Sequence, residues 1–101
     1  MSSKRVPKYL YYRGHWIPVV QMDASLMDNC LGQFSHERME IWLLSGMKEN
    51  VEEATFIHEM MEAINLLDYM KIDHDIITRL ANAIYQVLKE NDIYLYHKAE
   101  R

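Results

Sequence analysis

Hydrophobic and polar positions follow two different periods along this chain of 101 residues, and the period changes near residue 50. Before that point, aromatic and β-branched residues occur in short runs separated by turn-forming residues, which is typical of strands. After it, apolar residues recur every three or four positions, which is typical of amphipathic helices. The pattern therefore predicts an α+β protein with a single domain, 1–101, in which a small antiparallel sheet of about three strands precedes two packed helices.

The predicted sheet occupies residues 8–44 and begins with a hairpin. YLYYR and HWIPVV are strand-prone runs on either side of Gly14, which suits a tight turn. Pro18 cannot donate a ladder hydrogen bond, so the second strand is expected to be locally an edge or to carry a bulge. Residues 23–33 are expected to form a short helical turn and a loop. MEIWLL, at residues 39–44, is the third predicted strand.

Two helices are expected after the sheet, at residues 50–67 and 74–90. The apolar stripe of the first comprises Phe56, Ile57, Met60, Ala63, Ile64 and Leu67. The expected core face of the second, for which Asp73 is a suitable N-cap, comprises Ile76, Ile77, Leu80, Ile84, Val87 and Leu88. Residues 1–7 are expected to be flexible, and the tail, 92–101, to form a packed extension or a short strand.

Composition and charge narrow the classes of function. The net charge of −4 argues against nucleic-acid binding, which usually requires a basic excess. Cys30 is the single cysteine, which excludes a disulfide framework or a thiolate zinc cluster and favours a small buried residue. No apolar run approaches the length of a membrane span, and the N-terminus lacks the apolar core of a signal peptide. We therefore expect a cytoplasmic protein that has neither a nucleic acid nor a membrane as its partner.

HEMME, at residues 58–62, is the most informative stretch of the chain. It is the zinc-hydrolase signature H-E-x-x-H with glutamate in place of the last histidine. Because residues four apart share a helix face, His58 and Glu62 can reach one metal ion. Glu59, about 100° around the helix, is then the candidate base. The alternative is a solvated helix face without metal, since this spacing also arises by chance.

His74, at the start of the second predicted helix, is the candidate third ligand. It reaches the site only if the first helix stops soon after Leu67, because each further turn adds about 5.4 Å. His58, Glu62 and His74 would supply two imidazoles and one carboxylate, as in thermolysin-like zinc sites. Asp75 follows His74 directly and is the alternative third ligand.

Four further residues are weaker candidates. Tyr85 lies three turns beyond His74 on the same helix face and could stabilise an oxyanion, although a tyrosine at the edge of the core is the favoured interpretation. His15 and His36 lie beside turns and His97 lies in the tail, so surface positions are favoured over ligand roles.

The block TFIHEMMEAIN, followed by IDHDIITRLANAIYQVLKEN, resembles the small zincin-like metallopeptidases encoded by bacteriophages. The similarity covers roughly residues 32–91, and LGQFSHERMEIWLL, at residues 31–44, resembles the strand before the motif. The resemblance implies a minimal zincin-like fold in which His58, Glu62 and His74 bind Zn²⁺. It implies a small metallopeptidase of phage origin, in the host cytoplasm, in which Glu59 is the base for metal-activated water that attacks a peptide bond.

Two alternatives to an active peptidase remain. Because Glu62 departs from the histidine of the family motif, the first is an inactive zincin-like protein that acts as a protein-binding module. The second is a small α+β adaptor without metal. Zincins hold an extended substrate at an edge strand beside the motif helix, and residues 39–44 are expected to be that strand here.

Overall fold

The computed structural model describes residues 6–93, which form a four-stranded sheet followed by two packed helices. The strands are β1 (Tyr9–Tyr12), β2 (His15–Met22), β3 (Gly32–Ser35) and β4 (Glu40–Leu44), and the helices are α1 (Glu49–Leu67) and α2 (His74–Glu90). The predicted α+β class is confirmed. Neither helix is long and apolar enough to cross a membrane within the described part of the chain.

The sheet has the order β1-β2-β4-β3 and is mixed. β1 and β2 are antiparallel, β3 and β4 are antiparallel, but β2 and β4 run parallel. The structure therefore differs slightly from the predicted sheet of about three antiparallel strands: it has one more strand, and β2 and β4 are parallel. The first half of β3 was expected to be loop, because Gly32 follows the turn-forming residues Asp28 and Asn29.

β2 is the long strand that joins the two halves of the sheet. Its first half pairs with β1 up to Pro18, and its second half pairs with β4 from Val19 onward. The Val19 N–H donates to the Lys8 carbonyl on the β1 side, at 2.8 Å. The nitrogen of Pro18 therefore faces the opposite side, where the pairing with β4 has not yet begun. The expectation that this strand is locally an edge at the proline agrees with that arrangement.

The hydrophobic core lies between the sheet and α1. Ile17, Ile41 and Leu43 from the sheet and Phe56 from α1 are buried in it. Val6 is 8% exposed and belongs to the same cluster, so the core begins inside the segment that was expected to be flexible. α1 thus covers the inner face of the sheet. This packing fixes the direction in which the remaining faces of α1 point.

α2 packs chiefly against α1, and within residues 6–93 its buried residues are Ile77 and Ala81. The predicted core face of this helix is wrong for four of its members, which are exposed: Ile76 (43%), Leu80 (47%), Ile84 (37%) and Val87 (56%). The physical reason is that α1 already covers the sheet. α2 therefore has one main neighbour and buries one narrow face.

Candidate metal centre

The side chains of His58, Glu62 and His74 meet where α2 begins beside α1. One donor atom from each residue lies within 4.8 Å of the other two. His58 Nε2 is 3.3 Å from Glu62 Oε2, and the same oxygen is in hydrogen-bond contact with His74 Nδ1. The two imidazole rings lie 5.2 Å apart between centroids, at an interplanar angle of 73°. The structure therefore brings together the three residues that the sequence suggested as ligands.

The donor types suit a zinc ion, and one of the donor pairs has the separation that zinc requires. Tetrahedral zinc with bonds of about 2.0–2.1 Å to nitrogen and oxygen separates its donor atoms by roughly 3.3 Å. The separation between His58 Nε2 and Glu62 Oε2 is 3.3 Å. The Glu62–His74 pair is closer than that, because the two groups contact each other directly. Two imidazoles and one carboxylate would leave a fourth position open on such an ion.

α1 ends at Leu67, which meets the condition that sequence reasoning set for His74 to reach the site. Asp68 follows as the C-cap, and its N–H donates to the Ile64 carbonyl at 2.9 Å. The Tyr12 hydroxyl donates to Asp68 Oδ2 at 2.5 Å, and Arg13 Nε lies 3.6 Å from the same oxygen. The hairpin of β1 and β2 therefore holds the end of the motif helix.

Asn65 closes the loop that returns the chain to the site. Its Nδ2 donates to the Ile72 carbonyl at 3.0 Å, and its Oδ1 accepts from the Ile72 N–H at 2.9 Å. Tyr69 and Lys71 have φ of 53° and 60°, a left-handed conformation that reverses the chain tightly. Asn65 was not among the candidates that the sequence singled out. A carboxamide one turn beyond Glu62, just before a short loop, was the available signal.

Asp75 does not join the cluster. Its side chain is 72% exposed and pairs with Arg79 one turn along α2, at 3.3 Å. His15 and His36 are exposed and lie outside the ligand cluster found among residues 6–93, whereas His97 lies outside the described residues. Of the two candidates for the third ligand, the structure therefore places His74 at the site.

Glu59 belongs to α1, and its side chain packs against the edge strand β3. The residue is 8% exposed. Its carboxylate accepts a hydrogen bond from the backbone N–H of Phe34. Burial, followed by the neighbouring charge of Glu62, raises the pKa of Glu59 to about 7, although His74 and the Phe34 N–H act in the opposite direction. A carboxylate with a pKa near neutrality is suited to accept and return a proton.

Gly32 permits the close approach of β3 to α1. A Cβ atom at this position would lie 2.5 Å from Thr55 Cγ2 and 2.9 Å from Glu59 Cγ, which is closer than such atoms can pack. The bare backbone therefore allows β3 to run directly over Glu59, with Phe34 in hydrogen-bond range. The sequence offered a signal, since a glycine inside a strand often marks such an approach, but Gly32 was interpreted as a loop residue.

β3 is the edge strand beside the motif helix. Residues 39–44 were expected to be that edge, and this expectation is wrong, because β4 lies between β2 and β3. A shallow depression of about 330 Å³ lies along β3, between Phe34, Leu66 and the candidate ligands. A larger one, of about 570 Å³, lies on the other side of His58 and His74. The candidate centre thus lies in a cleft bordered by a strand edge.

Tyr85 and Cys30 line the larger depression. Eleven residues of helix separate Tyr85 from His74, a rise of about 16 Å. This distance does not favour the oxyanion role that the sequence suggested for Tyr85. Cys30 is half-buried and its thiol donates to the Met27 carbonyl at 2.7 Å.

Comparisons with models of protein families, with curated proteins and with solved structures found no match to this chain. The candidate centre is therefore argued from its own geometry. Its three donor atoms, its buried carboxylate and its strand edge are the observations that bear on function.

Proposed function

We propose that the protein is a small zinc-dependent metallopeptidase of the zincin-like type, related to those encoded by bacteriophages and acting in the cytoplasm of the host. The observation that carries the proposal is the convergence of His58, Glu62 and His74 within 4.8 Å, with the buried Glu59 on the same helix. Two imidazoles, a carboxylate ligand and a separate carboxylate base are the inventory that metal-assisted peptide hydrolysis needs.

His58, Glu62 and His74 would hold the zinc ion through Nε2, Oε2 and Nδ1 respectively. When bound, Zn²⁺ supplies a Lewis acid that polarises a carbonyl and lowers the pKa of water towards neutrality. Coordination through Nδ1 requires the proton of His74 on Nε2, and Thr78 Oγ1 lies 3.5 Å from that nitrogen. Such an outer partner orients a ligand ring and selects its tautomer.

Glu59 accepts the proton of the attacking water and passes it to the amine that leaves. Its pKa of about 7 means that the ionised form is well populated at neutral pH. Its protonated form is then acidic enough to donate to the leaving nitrogen. The hydrogen bond from the Phe34 N–H holds the carboxylate at the edge of β3. In this role the base is positioned by the same strand that borders the cleft.

The free edge of β3 would hold an extended peptide by strand addition. Leu31 accepts from the Leu44 N–H at 2.9 Å, so the backbone groups of Leu31 face β4. Successive residues of a strand face opposite sides, so the backbone groups of Gly32 and Phe34 face the cleft. The Phe34 N–H already donates to Glu59, so a peptide would pair with the Phe34 carbonyl and with the backbone groups of Gly32. A peptide strand paired there would lie beside Glu59, and backbone pairing of this kind gives affinity without a strict sequence requirement.

A second candidate is an inactive zincin-like protein that binds another protein at the same cleft. It is favoured by one observation: the third ligand, His74, is 72% exposed. A ligand held so loosely would lower zinc affinity, because its side chain must be ordered when the metal binds.

Elemental analysis of protein purified without chelator tests the proposal. We expect stoichiometric zinc in the wild type and substoichiometric zinc in Glu62→Ala and His74→Ala, because each removes a donor. Asp75→Ala is the matched control and should retain zinc, since its side chain pairs with Arg79 instead. Glu59→Gln should retain zinc and lose cleavage of denatured casein.

The possible results separate the two candidates. A wild type that takes up no zinc even when it is supplied would refute the metallopeptidase. Zinc without cleavage of any peptide would favour the binding protein. Undiminished cleavage by Glu59→Gln would refute the role of this residue as base.

A further inference from the structure

The larger depression beside the candidate centre has three walls. α1 contributes Asn50 and Ala54, α2 contributes Tyr85, and the segment before β3 contributes Leu31. It is open to solvent, has a volume of about 570 Å³ and reaches the ligand cluster, because His58 also lines it. The smaller depression, of about 330 Å³, shares His58 with it but extends to the opposite side, along β3.

The length of this groove can be read from α1. His58 marks the end at the candidate centre and Asn50 the other end, eight residues apart, which is a rise of about 12 Å. An extended chain advances roughly 3.3 Å per residue, so this length matches three to four residues of a bound peptide. Tyr85 on α2 also lies far from His74, which agrees with a groove that leads away from the site.

The lining of the groove is apolar with amide groups at its borders. Leu31, Val51 and Ala54 supply the apolar surface, and Leu31 is 49% exposed. Asn50 and Asn82 supply carboxamides, which can donate to and accept from a peptide backbone. None of the described residues that line the groove is lysine or arginine, so away from the candidate centre an acidic side chain would have no cation to pair with there.

We infer that this groove is the subsite for bulky apolar side chains of an extended peptide, on one side of the bond to be cleaved. The inference rests on the proposed function for the position of that bond. The two depressions meet at Gly32, His58, Glu59 and His74, so a peptide that crosses these residues enters both. The larger depression receives leucine, isoleucine, methionine or phenylalanine, because its apolar surface is removed from water when they bind.

Filling the groove is the direct test. Ala54→Phe places a large ring in it, and Ala83→Phe, on the exposed face of α2, is the matched control. The cleavage sites of both variants in denatured casein are mapped by mass spectrometry. We expect the wild type and Ala83→Phe to prefer a large apolar residue at one position beside the cleaved bond. Ala54→Phe should lose this preference and cleave at glycine, alanine or serine.

A binding measurement makes the test independent of turnover. Random decapeptides are selected on zinc-loaded Glu59→Gln protein, and the affinity of those retained is measured by fluorescence anisotropy. We expect Ala54→Phe to weaken binding at least tenfold, as the loss of one buried apolar side chain does. Leu31→Ser, at a residue that is 49% exposed, should weaken binding of the same peptides by a smaller factor.

Each outcome decides one of the two claims. Equal affinity in Ala54→Phe and wild type, or retained peptides without apolar residues, would overturn the subsite. If the wild type binds no zinc and cleaves nothing, the proposed function fails, while the same selection on the metal-free protein still decides the groove. Selective loss of binding in Ala54→Phe would then support a peptide-binding protein at this cleft.

Discussion

The two helices contribute to the candidate centre from very different surroundings. α1 is pressed against β3 and β4, and its Phe56, Ile57 and Glu59 are buried. α2 packs chiefly on α1, and its His74 is 72% exposed. Two ligands and the base therefore come from an element held by the core, and the third ligand comes from an element held by one neighbour and a loop. The difference predicts that the α1 residues of the site are already in place in the folded protein. The position of His74, in contrast, depends on the loop between the two helices.

The narrow contact of α2 predicts a sharp contrast within that helix. Ile77→Ala removes a side chain that is 1% exposed, and we expect it to cost about 3 kcal/mol of unfolding free energy. Leu80→Ala, at a residue 47% exposed, should cost about 1 kcal/mol or less. Urea denaturation of the two variants measures the difference. Equal costs would show that Leu80 packs in solution against something outside residues 6–93.

The burial of Glu59 predicts a pH-dependent stability of the metal-free protein. The folded pKa of Glu59 is raised from 4.5 to about 7, so the folded state binds this proton more tightly than the unfolded state does. Stability is therefore highest below pH 4.5 and falls as the pH rises towards 7, by about 3 kcal/mol in total from this group. Glu59→Gln should remove that loss and be more stable than the wild type at pH 8.

Urea denaturation in the presence of a chelator, between pH 4.5 and pH 8, measures the effect. Glu37→Gln, at an exposed turn, is the control and should follow the wild-type pH dependence. A Glu59→Gln variant that also follows it would contradict the burial of an ionised carboxylate at this position.

The contact between β3 and α1 predicts an effect of intermediate size. Gly32→Ala forces a Cβ to within 2.5 Å of Thr55 Cγ2, and overpacking of this kind costs about 2 kcal/mol. Thr55→Ala removes that methyl group, so the double variant should recover part of the lost stability. Thermal and urea denaturation of the wild type, the two single variants and the double variant measures the four stabilities of this double-mutant cycle. Additive costs would mean that the two residues are not in contact.

The loop that returns α2 to the site predicts the smallest effect. Asn65→Ala removes two hydrogen bonds to Ile72, worth about 1 kcal/mol net, since water replaces them in a loop that is exposed. Because the loop positions His74, zinc affinity should fall about tenfold, which competition with a chromophoric chelator measures. Gln86→Ala, which removes an amide hydrogen bond to Glu90 elsewhere on α2, should bind zinc like the wild type.

Much of the fold could be predicted because its signals are local. The helical periods after residue 50, the end of α1 at Leu67 and the N-cap position of Asp73 all follow from neighbouring residues. The parallel pairing of β2 with β4 and the position of β3 at the edge could not be predicted. They depend on the path of the segment between β2 and β3, which passes β4. No local pattern of apolar and polar residues predicts that path.

The candidate site divides in the same way. The spacing of His58 and Glu62 on one helix face, and the motif that singles out Glu59, can be read from the chain alone, because a helix converts spacing into direction. The choice of His74 over Asp75, the pKa of Glu59 and the groove along α1 depend on contacts between distant segments. Local spacing determines which side chains share a face, whereas burial and distance depend on what the rest of the chain packs against that face.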